Sequence, residues 1–300
     1  MAINRADIAH QLVPGLNEIF GLSYKDVADE HKPLFDMDSS KRAFEEDQLM
    51  TGFETAPFKS EGAAVQYLTA SESYKARYTH RTVAMAFAIT EEAMEDNLYD
   101  SFSKLRSKAL GRSMANTKQV EAANVYNNAF STSYLGGDGA ALCATHTLAD
   151  GSTIANNVAA DLSETALENA IIAIAGWTDD KGILIAAKAQ SLHIPRNLMF
   201  VASRILNSTM RVGTADNDIN ALNYGNFLPK GFSVNHRFTD TNAWFLRTDI
   251  PNGMKMFTRV GLSTKMEGDF DTGNMRYKAR ERYSFGWTDF RGLYGSAGAS

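Results

Sequence analysis

Arg276–Ser296 reads RYKARERYSFGWTDFRGLYGS. Every second residue at its start is basic: Arg276, Lys278, Arg280 and Arg282. The alternate set is Met275, Tyr277, Ala279, Glu281, Tyr283, Phe285 and Trp287. A period of two puts the sets on opposite faces of one strand. Cations interleaved with aromatics also mark nucleic-acid surfaces. The stretch is therefore either such a surface or one strand of a sheet with a basic outer face.

The residues just before it favour the sheet. Gly268–Lys278, GDFDTGNMRYK, offers a turn at Asp271–Asn274. With Thr272-Gly273 as a two-residue loop, Asp269 faces Arg276, Glu267 faces Lys278 and Lys265 faces Arg280. The first two are cross-strand ion pairs, each contributing about 0.2–1 kcal/mol. The third sets like charges together. Acids thus neutralise about half of the stripe.

Composition points the same way. The 300 residues carry a formal charge of −5, opposite to the balance of a chain that wraps nucleic acid. A hydrophobic share of 44% allows one large domain or two ordinary ones. Cys143 is the only cysteine, which excludes an internal disulfide and a thiolate cluster and fits a reducing compartment. The N-terminal MAINRADIAHQLVPGLNEIF has no signal-peptide core, and no apolar run reaches membrane-spanning length, so no membrane association is expected.

Outward from the terminal hairpin, helices and non-local strands mix without a βαβ rhythm, which predicts an α+β fold. Residues 1–48 read as an arm with a short helix interrupted at Pro14-Gly15, its apolar residues Leu12, Val13, Leu16, Ile19 and Phe20 seeking a partner elsewhere. Residues 49–90 read as an extended hairpin leaving its own domain. Within it Tyr74–Thr90 reads as one long period-two strand, whose odd positions turn from Lys75, Arg77 and Arg81 to Val83, Met85, Phe87 and Ile89. Residues 90–129 predict a helix of about 55 Å, with Met94, Leu98, Phe102, Leu105 and Ala109 as its apolar stripe and a kink at Gly111. Residues 131–160 read as loop. A helix over Asp161–Ala175 is capped by Asp161 or Ser163, and strands are expected at Ala189–Ile194, Phe232–Phe238, Ala243–Thr248 and Met254–Arg259.

Chemistry-bearing motifs are weak throughout, and no catalytic, cofactor-binding or metal-ligating residue is assigned. Asp216, Asp218 and Asn220 match the opening of a calcium loop, but Ala221 replaces its glycine and Phe227 its terminal glutamate, leaving an Asx-rich turn. Cys143 and His146 lack a second ligand pair. LGGDGA lacks the lysine of a phosphate loop, and there is no Gly-x-Ser-x-Gly elbow. Glu91, Glu92, Glu95 and Asp96 sit where acids favour a helix start. A hydrolase built on Asp216, Asp218, Asp269 and Asp271 would need separate segments to converge on one ion. His193 and His236 lie in expected strands as structural histidines.

Longer stretches carry a resemblance. Leu162–Gly182 (LSETALENAIIAIAGWTDDKG), Thr214–Leu222 (TADNDINAL), Ala243–Gly261 (AWFLRTDIPNGMKMFTRVG) and Glu267–Ser296 resemble the major head subunit family of Mu-type tailed phages. The resemblance implies the Hong Kong 97 fold: an N-terminal arm over 1–48, an E-loop hairpin over 49–85, a peripheral domain with a spine helix over 86–130 and 261–300, and an axial domain over 131–260. It implies a non-enzymatic major capsid protein that forms hexamers and pentamers around double-stranded DNA in a phage head. Assembly would occur in the bacterial cytoplasm with scaffold, portal and optional decoration proteins. The arm is too short for a fused scaffold, so a separate scaffold protein is expected. Lys59 lies in the hairpin but matches no crosslinking pattern. An encapsulin-like cargo compartment is the alternative on the same fold.

Overall fold

The computed structural model describes residues 5–62, 64–65, 67, 72–90, 92, 99–210, 218–269 and 272–299. The chain opens with an N-terminal helix, Arg5–Lys25, then β1 (Asp36–Ser39), β2 (Phe44–Met50), β3 (Glu72–Thr79) and β4 (Arg81–Ile89). The long helix Tyr99–Asn127 follows, then β5 (Thr145–Thr147), β6 (Thr153–Ala155) and β7 (Asn157–Val158). The helix Glu164–Ala175 precedes β8 (Ala189–Pro195), and the helices Met199–Asn207 and Ala221–Tyr224 precede β9 (Phe232–Asn235). Next come β10 (Trp244–Thr248), β11 (Met254–Gly268), β12 (Met275–Trp287) and β13 (Leu293–Ser296).

Two sheets organise these elements. One has the order β1-β11-β12-β4 and the other β7-β13-β10-β8-β9, while β2-β3 and β5-β6 form two-stranded ribbons. The second ribbon lies inside the stretch read as loop. Strand β12 behaves as its alternation requires: Tyr277, Ala279, Glu281 and Tyr283 are buried and Arg276, Lys278 and Arg280 exposed. Its pairing with β11 corrects the expected register. Glu267 faces Arg276, Lys265 faces Lys278 and Ser263 faces Arg280. The turn is wider than two residues, closing through Asp269 N–H to Asn274 O at 2.8 Å. Asp269 still pairs with Arg276, now across the turn, whereas Glu267 bonds Lys265 at 3.3 Å rather than Lys278.

The N-terminal helix runs through Pro14 without a break and finds its apolar partner on its own chain. Leu16 and Phe20 pack with Leu110, Met114, Tyr277 and Ala279. Asn17 Oδ1 accepts from Tyr277 Oη and Thr264 Oγ1, each at 2.8 Å. The long helix is continuous through Gly111. A Cβ there would stand 2.8 Å from the Phe20 carbonyl oxygen, so glycine serves the close crossing of two helices. The expected stripe is also corrected: Leu105 is 64% exposed and Ala109 is exposed, while Ser103, Ser107, Leu110 and Met114 face inward. Small residues bring the helices close, and Ser107 Oγ donates to Leu16 O at 3.0 Å. Met94 and Leu98 lie outside the described residues.

The extended stretch is two strands, not one. In β3 the even positions Ala76 and Tyr78 are buried; in β4 the odd positions Val83, Phe87 and Ile89 turn inward. The face changes at His80, whose ring sits between Ser40 Oγ (2.9 Å) and Ser284 Oγ (3.0 Å). The second sheet carries the larger core, with Trp244, Leu192, Ile194, Leu167 and Ile174 fully buried. Ser163 caps the Glu164–Ala175 helix by accepting from Ala166 N at 3.2 Å. Strand β13 leaves the β12 hairpin and pairs with β10, tying the two sheets together.

Candidate functional site

The residues most suited to chemistry are used for structure. Cys143 is buried beside Phe245, and burial pushes its thiol well above the ordinary range. His146, three residues away, stacks on Phe290 at 3.7 Å and bonds Asp138 through Nδ1. Asn220, from the calcium-like stretch, accepts from Leu222 N and Asn223 N as a helix cap. Asp218 is exposed, while Asp216, Asp271, Glu91, Glu95 and Asp96 lie outside the described residues. Among the described residues no cluster of His, Cys, Asp or Glu could hold a metal ion, and no helix is long and apolar enough to cross a membrane. His193 is enclosed between Ser191 (2.9 Å) and Ser233 (2.6 Å), and burial holds its pKa down to about 3. His236 is exposed and bonds Glu30 at 2.7 Å.

The base of the β2-β3 ribbon is strongly anchored, and this is what sequence reasoning missed. Tyr78 Oη shares a 2.6 Å hydrogen bond with Thr288 Oγ1, which donates to Asp47 Oδ2. Asp47 in turn pairs with Lys255 at 2.6 Å. Gly137 lets the chain pass beneath Tyr74 and Lys75, where a Cβ would meet the Lys75 carbonyl at 2.6 Å. Behind this contact Arg291 is buried between Asp289 (3.0 Å) and Asp180 (3.3 Å), and Nη1 donates to Thr178 O. The spacing Asp289-x-Arg291 in TDFRG was the available signal, since a carboxylate two residues from an arginine can hold its guanidinium.

Beyond this base the segment leaves the body. Phe58 and Tyr67 are fully exposed, and Phe53 and Val65 are more than half exposed. A second apolar set lies on the five-stranded unit: Ile172, Leu184, Phe200, Ile219 and Tyr224 are all more than half exposed. Large exposed apolar side chains of this kind are candidates for contact with other chains. An open cleft of about 610 Å³ lies between β3, β4 and the long helix and is lined by Arg77, Arg81, Glu121, Tyr134, Tyr283 and Trp287.

Solved structures share this architecture. The virus-like particle from Pyrococcus furiosus aligns over 94% of this chain and 98% of its own, with TM-score 0.56 and 10% identity. The capsid of the native GTA particle aligns over 90% of each chain, with TM-score 0.57 and 14% identity. The capsid of cyanophage P-SCSP1u aligns over 89% of this chain and 87% of its own, with TM-score 0.57 and 10% identity. At such identities the likeness is one of fold, and the fold is the Hong Kong 97-like α+β fold of shell subunits. The phage capsid protein family matches residues 74–296, well over half of the chain, and the chain belongs to that family. No curated protein matches it in sequence. The expected kinship with phage capsid subunits thus holds, and the protein is a capsid shell protein.

Proposed function

We propose that this chain is the major capsid protein of a tailed bacteriophage, forming hexamers and pentamers that close an icosahedral head around double-stranded DNA. The observation that carries the reading is the anchored hairpin with an exposed apolar end. Tyr78 and Asp47 hold its base, while Phe58 and Tyr67 are fully exposed and no described residue covers them. A neighbouring subunit supplies that cover. Residues 49–85 then act as the E-loop. Residues 1–48 form the arm region, and the long helix with the β1-β11-β12-β4 sheet is the peripheral unit. The β7-β13-β10-β8-β9 sheet is the axial unit, which β13 joins from the C-terminal side.

The net charge of −5 suits a shell past which DNA must slide, because it limits the counterion release that would hold the genome. Scaffold, portal and decoration proteins are the proposed partners, host cytoplasm the site of assembly, and no catalytic role is assigned. The likeness to the Pyrococcus furiosus virus-like particle supports a second reading, a shell that encloses protein cargo. Sedimentation and negative-stain imaging after co-expression with the neighbouring genes test assembly. Polyhedral shells or six-membered rings support the proposal, and a small oligomer that never assembles refutes it. Nuclease-protected DNA within shells supports the phage reading, and co-purifying enclosed protein without DNA supports the compartment.

A further inference from the structure

Strand β4 ends its sheet, and among the described residues no backbone hydrogen bond reaches its second edge. After Arg81 its sequence, TVAMAFAI, has no proline and no charged residue, the features that usually protect an open edge. Both faces beside this edge are unfinished. On the solvent face Ala88 lies beside Arg276, Ala86 beside Lys278 and Ala84 beside Arg280, and the three alanines are exposed. Arg276 is answered by Asp269, and Lys265 by Glu267. Lys278 and Arg280 have no carboxylate partner among the described residues, and Arg282 reaches only the His80 carbonyl, at 3.5 Å. On the opposite face Met85 is 47% exposed at the same edge.

We infer that the free edge of β4 docks an extended acidic segment of a partner protein as a fifth strand, with carboxylates over the alanine row and apolar side chains over Met85. An added strand lies two strand spacings from β12, about 9.6 Å. The alanine methyls leave that gap open for a glutamate from one side and Lys278 or Arg280 from the other. The strand's alternate residues fall on the Met85 face, so the partner sequence alternates acidic and apolar residues. Main-chain pairing supplies affinity and the two faces supply selection. A DNA backbone fits less well, since it offers no ladder of amide donors and acceptors and nothing to cover Met85. The inference does not rest on shell formation.

The test uses the full-length protein and a fluorescent peptide, Glu-Val-Glu-Val-Glu-Val-Glu. Saturable binding by anisotropy, with slowed amide exchange across Arg81–Ile89, is expected. Lys278→Glu with Arg280→Glu weakens binding about tenfold or more, through like-charge repulsion at exposed positions. A peptide N-methylated at every second residue, made in both phases, probes pairing without changing the protein. Loss of binding in one phase supports strand addition. Equal binding in both phases overturns it, because charge alone then suffices. Absence of peptide binding at low salt, or preferred binding of duplex DNA, overturns it as well.

Discussion

Lys118, Glu281 and Tyr24 meet where the N-terminal helix, the long helix and β12 converge. Glu281 is buried, Lys118 is nearly so, and their charges lie 2.5 Å apart. Tyr24 Oη donates to Glu281 at 3.1 Å and accepts from Lys118 at 2.7 Å, while burial, reinforced by Glu281, raises its phenol far above the usual range. Glu281 Oε1 has no hydrogen-bond partner, so the pair is incompletely compensated. Removing one charge strands the other: Lys118→Met should lower unfolding stability by about 3–5 kcal/mol. The double variant Lys118→Met with Glu281→Leu should recover most of that loss in denaturant titration, because no buried charge remains. His193 sets a pH dependence. Its folded pKa lies below its unfolded value of about 6.5. The unfolded chain therefore binds the proton first as pH falls, so the contribution is full above pH ~6.5 and declines toward pH ~3. Between pH 6 and 5 the slope due to this residue approaches about 1.4 kcal/mol per unit. His193→Gln should flatten the measured slope by about that amount; an unchanged slope would show that His193 is not held neutral.

At the scale of elements, the N-terminal helix is bound to the body by Phe20 and the Gly111 crossing. Phe20→Ala should cost about 3–5 kcal/mol and expose the helix to protease. Gly111→Val should cost about 1–3 kcal/mol by forcing the two helices apart. If either variant is as stable and protease-resistant as the parent, the helix is not part of the folded body. Which elements were legible follows from the physics of each pattern. The alternation of β12 could be read because one face is buried and the other wet. Its register could not, because it turns on loop width, and Thr272-Gly273 looks like a complete hairpin turn in sequence. The stripe on the long helix was misassigned at Leu105 because periodicity marks apolar residues, whereas the real crossing uses Ser103, Ser107 and Gly111 for their small size. The change of character between Lys75 and Ile89 was visible, but its cause, a reversal of the buried face at His80, depends on contacts with Ser40 and Ser284 far away in sequence. The exposed apolar side chains were not legible, since exposure of Phe58 or Phe200 depends on the rest of the fold.

At the scale of the whole molecule, the proposed function places assembly in a different part of the chain from the buried cores. The two larger cores lie in the sheets, the long helix and the helices packed on them. Among the described residues beyond β2, Phe53, Phe58, Val65 and Tyr67 add exposed apolar surface. Ala76 and Tyr78 belong to a small buried cluster with Phe257, so the dividing line runs beyond the base of β3 rather than through it. Replacing residues 53–70 with a short Gly-Ser linker should therefore leave the thermal midpoint of the isolated chain nearly unchanged and abolish stable shells. Calorimetry reads the first effect and sedimentation the second. A large fall in midpoint would mean that the hairpin stabilises its own subunit. Closed shells from the deletion would assign subunit contact to the other apolar set, around Phe200 and Ile172, whose substitution by serine would then be the change that blocks assembly.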